Sequence, residues 1–243
     1  MMNSMSYLGR RPALIFGACL LLTAPRVIWS SEGVTEVAKH MHQHLSAMSA
    51  MKAFVIAGQL DGMREPAVWL EEHQATPGLP GDWQPYVARL RRYAGEAASA
   101  RHLVFGAAAV GEMARVCGDC HEANSIQARL GEPKPAPADR DNVRSQMLRH
   151  MWAVDRMWSG LISPSDEAWI AGAQVLAGVR LKAADISASD EVAPKVSFLL
   201  GRAREIGAEG QGAESRETRS ALYGELLGLC ADCHSLTGGG PAR

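Results

Sequence analysis

Apolar residues recur at helical intervals along most of the chain. Val37, Met41, Leu45, Met48 and Val55 advance by steps of three, four or their multiples, and Val87, Leu90, Ala94 and Ala98 do the same. Such spacing places the residues on one face of a helix. Further along, Val110, Met113, Cys117 and Cys120 form a third stripe, and Tyr223, Leu226, Cys230 and Cys233 form a fourth at the same intervals. No stretch alternates as a half-buried strand would, so the pattern predicts an all-α protein. The run Thr76 to Asp82 carries two prolines and two glycines and is a strong break; Gly58 to Asp61 is a weaker one.

The stripes belong to a repeat. A shift of 106 positions aligns Met41 with Met147, His44 with His150, Ala47 with Ala153, Met51 with Met157 and Leu70 with Leu176. The shift grows to 109 for Pro85, Val87, Leu90 and Ala94 against Pro194, Val196, Leu199 and Ala203, and to 113 for Gly111-Glu112 and Cys117 to His121 against Gly224-Glu225 and Cys230 to His234. A duplication with small insertions in loops accounts for the drift. Between the copies lies Gly131 to Pro137, with Pro133, Pro135 and Pro137, which cannot continue a helix and favours an extended connector. The expected organisation is a first module over 31–130, a linker over 131–141 and a second module over 142–243. About four helices per copy imply two tandem four-helix-bundle modules, each able to hold a cofactor among its helices.

The chemistry sits at the ends of the copies. Of five cysteines, four form the pairs Cys117/Cys120 and Cys230/Cys233, each followed at once by His121 or His234. Cys-x-x-Cys-His is the signature of c-type haem attachment. Thiols three residues apart share a helix face and reach the two vinyl groups of one porphyrin as thioethers, while the adjacent histidine offers a proximal nitrogen to iron. The pattern implies two haem c groups. A disulfide framework would spread its cysteines across loops, a structural zinc site needs four ligands where each motif supplies three, and a thioredoxin-like site needs strands.

With the motif ending each helical repeat, the sequence resembles the class II c-type cytochromes, which include cytochrome c-prime and its low-spin relatives. The resemblance spans roughly Val34 to Ala123 and Asn142 to Leu236 and rests on Cys117-Gly118-Asp119-Cys120-His121 and Cys230-Ala231-Asp232-Cys233-His234. It implies a four-helix bundle with the haem on its last helix, doubled here. It also implies a sixth iron position that is either open or filled from the first helix. Both first helices carry Met-x-x-His, so the distal candidates are His44 and His150 or Met41 and Met147. By analogy with the low-spin relatives the histidines are the better placed. His40 and His42 lack counterparts and could serve only the first haem; His73 and His102 read as solvated. Methionines and tryptophans at such positions usually pack in cores.

Residues 1–30 have the form of an export signal: Arg10 and Arg11 precede an apolar run from Ala13 to Leu22, and no acidic residue occurs before Glu32. The run falls short of the roughly 20 residues that span a membrane. Continued to Trp29 it would form a poor uncleaved anchor and a membrane association. A twin-arginine reading conflicts with haem attachment to an unfolded exported chain, and Cys19 lies inside the apolar run rather than at its end, as a lipidation site would. The formal charge of −1, without a basic cluster, excludes nucleic acid as a partner.

These features together predict a periplasmic dihaem electron carrier that exchanges electrons with soluble or membrane-bound redox proteins and is not an enzyme. The alternative is a gas-binding protein with an open distal site for nitric oxide or carbon monoxide. A dihaem peroxidase ranks third, because no acid/base constellation accompanies the motifs.

Overall fold

The computed structural model describes residues 31–73, 79–128, 130, 134–186 and 189–240, with side chains from Glu36 onward. The expected export segment, the Thr76–Gly78 start of the Thr76 to Asp82 break and the Gly131–Pro133 start of the connector lie outside the described residues. The described residues are helical, with no strand among them. The helices are α1 (Ser31–Ile56), α2 (Leu60–Glu72), α3 (Gln84–Ala98), α4 (Leu103–Ala123), α5 (Val143–Ile162), α6 (Asp166–Ala177), the short α7 (Ala183–Ile186), α8 (Ala193–Gln211) and α9 (Arg216–Thr237).

Local chemistry sets the boundaries. Asn142, Ser165 and Ser215 each accept a hydrogen bond from a backbone N–H three residues on, capping α5, α6 and α9. Pro85 and Pro194 occupy the first turns of α3 and α8, where their missing N–H costs nothing. Gly58, at φ +71°, turns the chain from α1 into α2 in a conformation few other residues adopt.

In the first copy α1 packs on α2, α2 on α3 and α3 on α4; in the second α5 packs on α6, α6 on α8 and α8 on α9. The two sets meet along α4 and α9, the helices that carry the cysteines. One hydrophobic core runs through both copies, from Met48, Met51, Val55, Met63, Val110 and Met113 to Met157, Leu161, Trp169, Ile206, Tyr223 and Leu226. A smaller cluster, Val179, Leu181, Val196 and Leu200, lies beside Met147 and Cys233.

Where α4 meets α9 the backbones nearly touch. A Cβ on Gly111 would lie 2.6 Å from the Ser220 carbonyl oxygen, and one on Gly224 would lie 2.9 Å from Cα of Ala108 and 3.2 Å from the Ala107 carbonyl oxygen. Gly111 and Gly224 are repeat partners, as are Ala107 and Ser220, so the contact is self-complementary in the manner of a two-fold interface. Ion pairs seal its edge. Arg115, 9% exposed, bonds Glu112 and Asp119 on its own helix and Glu217 on α9, and Glu112 in turn accepts from Ser220.

The connector is docked rather than free. Trp152 Nε1 donates to the Lys134 carbonyl (2.8 Å), Arg149 to that of Pro137 (2.7 Å) and Ser145 Oγ to that of Ala138 (2.6 Å). Gln146, 2% exposed, donates to Asp139 Oδ1 and the Arg140 carbonyl while its own oxygen accepts from Arg180 N–H. No helix of the described residues is long and apolar enough to cross a membrane.

Candidate functional site

Both cysteine motifs fall in the last two turns of their helices, and all four cysteines are free thiols. Cys117 and Cys230 point deepest. Burial pushes both thiols up to about 12, with the neighbouring cysteine adding in each case, so they stay protonated at neutral pH. Sγ of Cys117 lies 3.6 Å from Sδ of Met48, and Sγ of Cys230 lies 3.8 Å from Nε2 of His150. Cys120 and Cys233 are more open, and Asn124 Nδ2 donates to the Cys120 sulfur at 3.6 Å.

The two motif histidines are held alike, each by the other copy. His121 Nδ1 lies 2.7 Å from the carbonyl oxygen of Ile162, and His234 Nδ1 lies 2.6 Å from that of Ile56. Ile56 and Ile162 are repeat partners and the last residues of α1 and α5, where helix carbonyls lack intrahelical partners. A carbonyl oxygen only accepts, so each Nδ1 carries the proton and each Nε2 keeps its lone pair. That tautomer is the one an iron-ligating histidine needs, with its other nitrogen anchored to a carbonyl. Burial lowers the pKa of His121, against the opposing pull of the Ile162 carbonyl.

The distal candidates separate. His150 is buried and faces Cys230, and burial followed by the proximity of His234 pushes its pKa down to about 4. With Met147, Leu200, Leu226, Cys230 and His234 it lines an apolar crevice of about 30 Å³. The donor set and the lining suit a porphyrin. The volume does not, since sites for ligands of cofactor size hold about 300–1,000 Å³, so α5, α8 and α9 have to part to admit one.

His44 stands differently. Its ring lies 4.2 Å from that of His40 and 5.5 Å from that of His73. Burial, His40, His73 and Arg91 push its pKa down to about 3, and its Nε2 is buried without a hydrogen-bond partner. His73, expected in solvent, is instead half-buried: its ring stacks on Trp69 at 4.0 Å and its Nε2 lies 3.2 Å from Nδ1 of His40. The side chain is retained because Trp69 sits one turn before it on α2. His42 is exposed and stands away from this group, and His102 is exposed as expected. Among the described residues, His40, His44 and His73 form a group with ligand atoms all within 4.8 Å of one another.

Met41 is half-buried, and the methionine that reaches the first motif is Met48, two turns further along α1. Met48 belongs to the apolar stripe of the first helix, but its repeat partner is Val154, so a search for matched pairs passes over it. Trp158 and Trp169 pack in the core as expected: Trp158 stacks with Tyr223, and Trp169 donates to the Gly210 carbonyl at 2.7 Å.

Neutral burial of His150 makes the haem-free chain acid-sensitive. The folded-state pKa of about 4 lies below the ordinary 6.5, so the unfolded chain binds the extra proton first and stability falls as pH drops through that interval. At about 1.4 kcal/mol per pKa unit, this one residue is expected to cost about 3 kcal/mol between pH 7 and 4. Urea unfolding across that range should show a shallower loss in His150→Leu than in the parent chain; parallel curves would contradict the assignment. His44 contributes with the same sign.

No family model, curated protein or solved structure significantly matches the chain, so its functional reading rests on the cysteine motifs, the repeat and the geometry around them.

Proposed function

We propose that the chain is an exported, periplasmic dihaem c-type cytochrome of class II character, built as two tandem four-helix-bundle modules that act as an electron carrier. Cys117 and Cys120 would hold one haem by thioether bonds and Cys230 and Cys233 the other, with His121 and His234 as proximal ligands. Bound there, each haem supplies a ferric/ferrous couple that takes up or releases one electron.

The observation that carries this reading is the matched pair of hydrogen bonds from His121 to Ile162 and from His234 to Ile56, which leaves both Nε2 atoms free for iron. Cys230 is buried and Cys117 part-buried against the apolar core, which also suits thioether attachment. On the distal side His150 is the candidate in the second module. In the first, Met48 stands against the motif while His44 is engaged with His40 and His73. Methionine ligation raises a haem potential relative to bis-histidine ligation, so two unlike couples are expected, suited to passing electrons in one direction between redox proteins.

Electron paramagnetic resonance of the oxidised protein, with a potentiometric titration of the same sample, tests this. Two low-spin ferric signals and two separated one-electron steps are expected. A predominantly high-spin signal with rapid carbon monoxide uptake would replace the electron-carrier reading by the gas-binding one.

A further inference from the structure

We propose that His40, His44 and His73 form a binding site for a divalent transition metal, zinc being the probe of choice. Three imidazoles converge from α1 and from the residue that ends α2, with ligand atoms all within 4.8 Å of one another. Nitrogen ligands of one tetrahedral zinc, each at about 2.0–2.1 Å from the ion, lie roughly 3.3 Å apart. His40 Nδ1 and His73 Nε2 already stand at 3.2 Å. No carboxylate enters the group, which disfavours calcium and magnesium and suits zinc, copper, nickel or cobalt.

The surroundings hold the rings in place. Trp69 stacks on His73 with the planes 26° apart and meets His44 edge-on. The backbone at His73 is pinned by Arg91, whose Nη2 donates to the His73 carbonyl at 2.8 Å. His44 brings a buried Nε2 that no protein group satisfies, an uncommon condition for a buried polar atom. Three imidazole ligands leave the fourth tetrahedral position to a solvent ligand.

The second copy is an internal control. Its counterpart of His40 is Gln146, whose amide is saturated by Asp139, Arg140 and Arg180, and its counterpart of His73 is Val179. Only His44 has a histidine equivalent, His150. The same helix pair is therefore closed by hydrogen bonds in one copy and by three imidazoles in the other.

The test uses the purified, haem-loaded full chain after dialysis against chelator. Calorimetric titration with zinc should give one equivalent bound, and cobalt in its place should develop the visible bands of a four-coordinate ion. His40→Gln and His73→Val, each carrying the residue of the second copy, should weaken binding by about 100-fold or more while haem content and helical circular dichroism stay unchanged. Absence of saturable uptake, or uptake that survives both substitutions, overturns the site. If a variant loses helicity, X-ray absorption of the zinc-loaded parent decides: imidazole nitrogens around the ion support the site, and sulfur neighbours overturn it. Haem content, measured on the same sample, reports separately on the cysteine motifs.

Discussion

Replacing Cys230 and Cys233 together by alanine is expected to halve the haem covalently bound to the chain, leaving the first site filled. Each motif carries its own pair of thiols and its own histidine, and no thiol is shared between them. The cost to the fold is modest, because Cys230 is the only fully buried member of the pair and loses a single sulfur in a core that tolerates small deletions for about 1 kcal/mol. Intact-mass measurement of the purified protein reads the result directly: the proposed function requires two haem masses on the parent and one on the variant. The mirror variant at Cys117 and Cys120 should give the same mass with the other site occupied. A parent chain carrying no covalent haem would end the cytochrome reading.

Gly111→Val is expected to be strongly disruptive. Its Cβ would meet backbone atoms of Ser220 and Gly224 across the α4–α9 crossing, and backbone cannot rotate aside as a side chain can. Overpacking of this kind costs about 1–3 kcal/mol where side chains can adjust, and more is expected here. That is a large share of the 5–15 kcal/mol that typically separates a folded domain from its unfolded chain. The damage should reach both histidines, since His121 and His234 are each oriented by a carbonyl of the opposite copy. Gly201, also helical, has nothing within 4 Å of its missing Cβ, so Gly201→Val should stay within about 1 kcal/mol of the parent. Urea unfolding of the two variants side by side checks the contrast.

The helices were legible from the spacing of apolar residues, and the repeat announced the pairing of the two cysteine motifs. Local signals sufficed there, because a three-or-four-residue interval already commits one face of a helix to the core. What stayed hidden depends on which backbones approach one another. Nothing in the letters marks the carbonyls of Ile56 and Ile162 as partners for histidines far away in the chain, since every residue has such an oxygen. His73 was misread for a related reason: it lies at the end of α2 and gains its stacking partner Trp69 and its neighbour His40 only when α2 folds back on α1. The docking of the connector was hidden in the same way. Its prolines forbid helix, but the backbone carbonyls of Lys134 and Pro137 remain acceptors for Trp152 and Arg149 on α5.

The exchange of carbonyls between copies carries a historical implication. The histidine–carbonyl and glycine contacts that the copies exchange in matched pairs are what a symmetric pair of separate chains presents, and joining such a pair end to end keeps them while removing their dependence on concentration. On this view the ancestral unit was a single-motif protein that worked as a homodimer. Fusion then freed its two halves to diverge, and the imidazoles at positions 40 and 73, answered by glutamine and valine in the other half, are where that freedom was used.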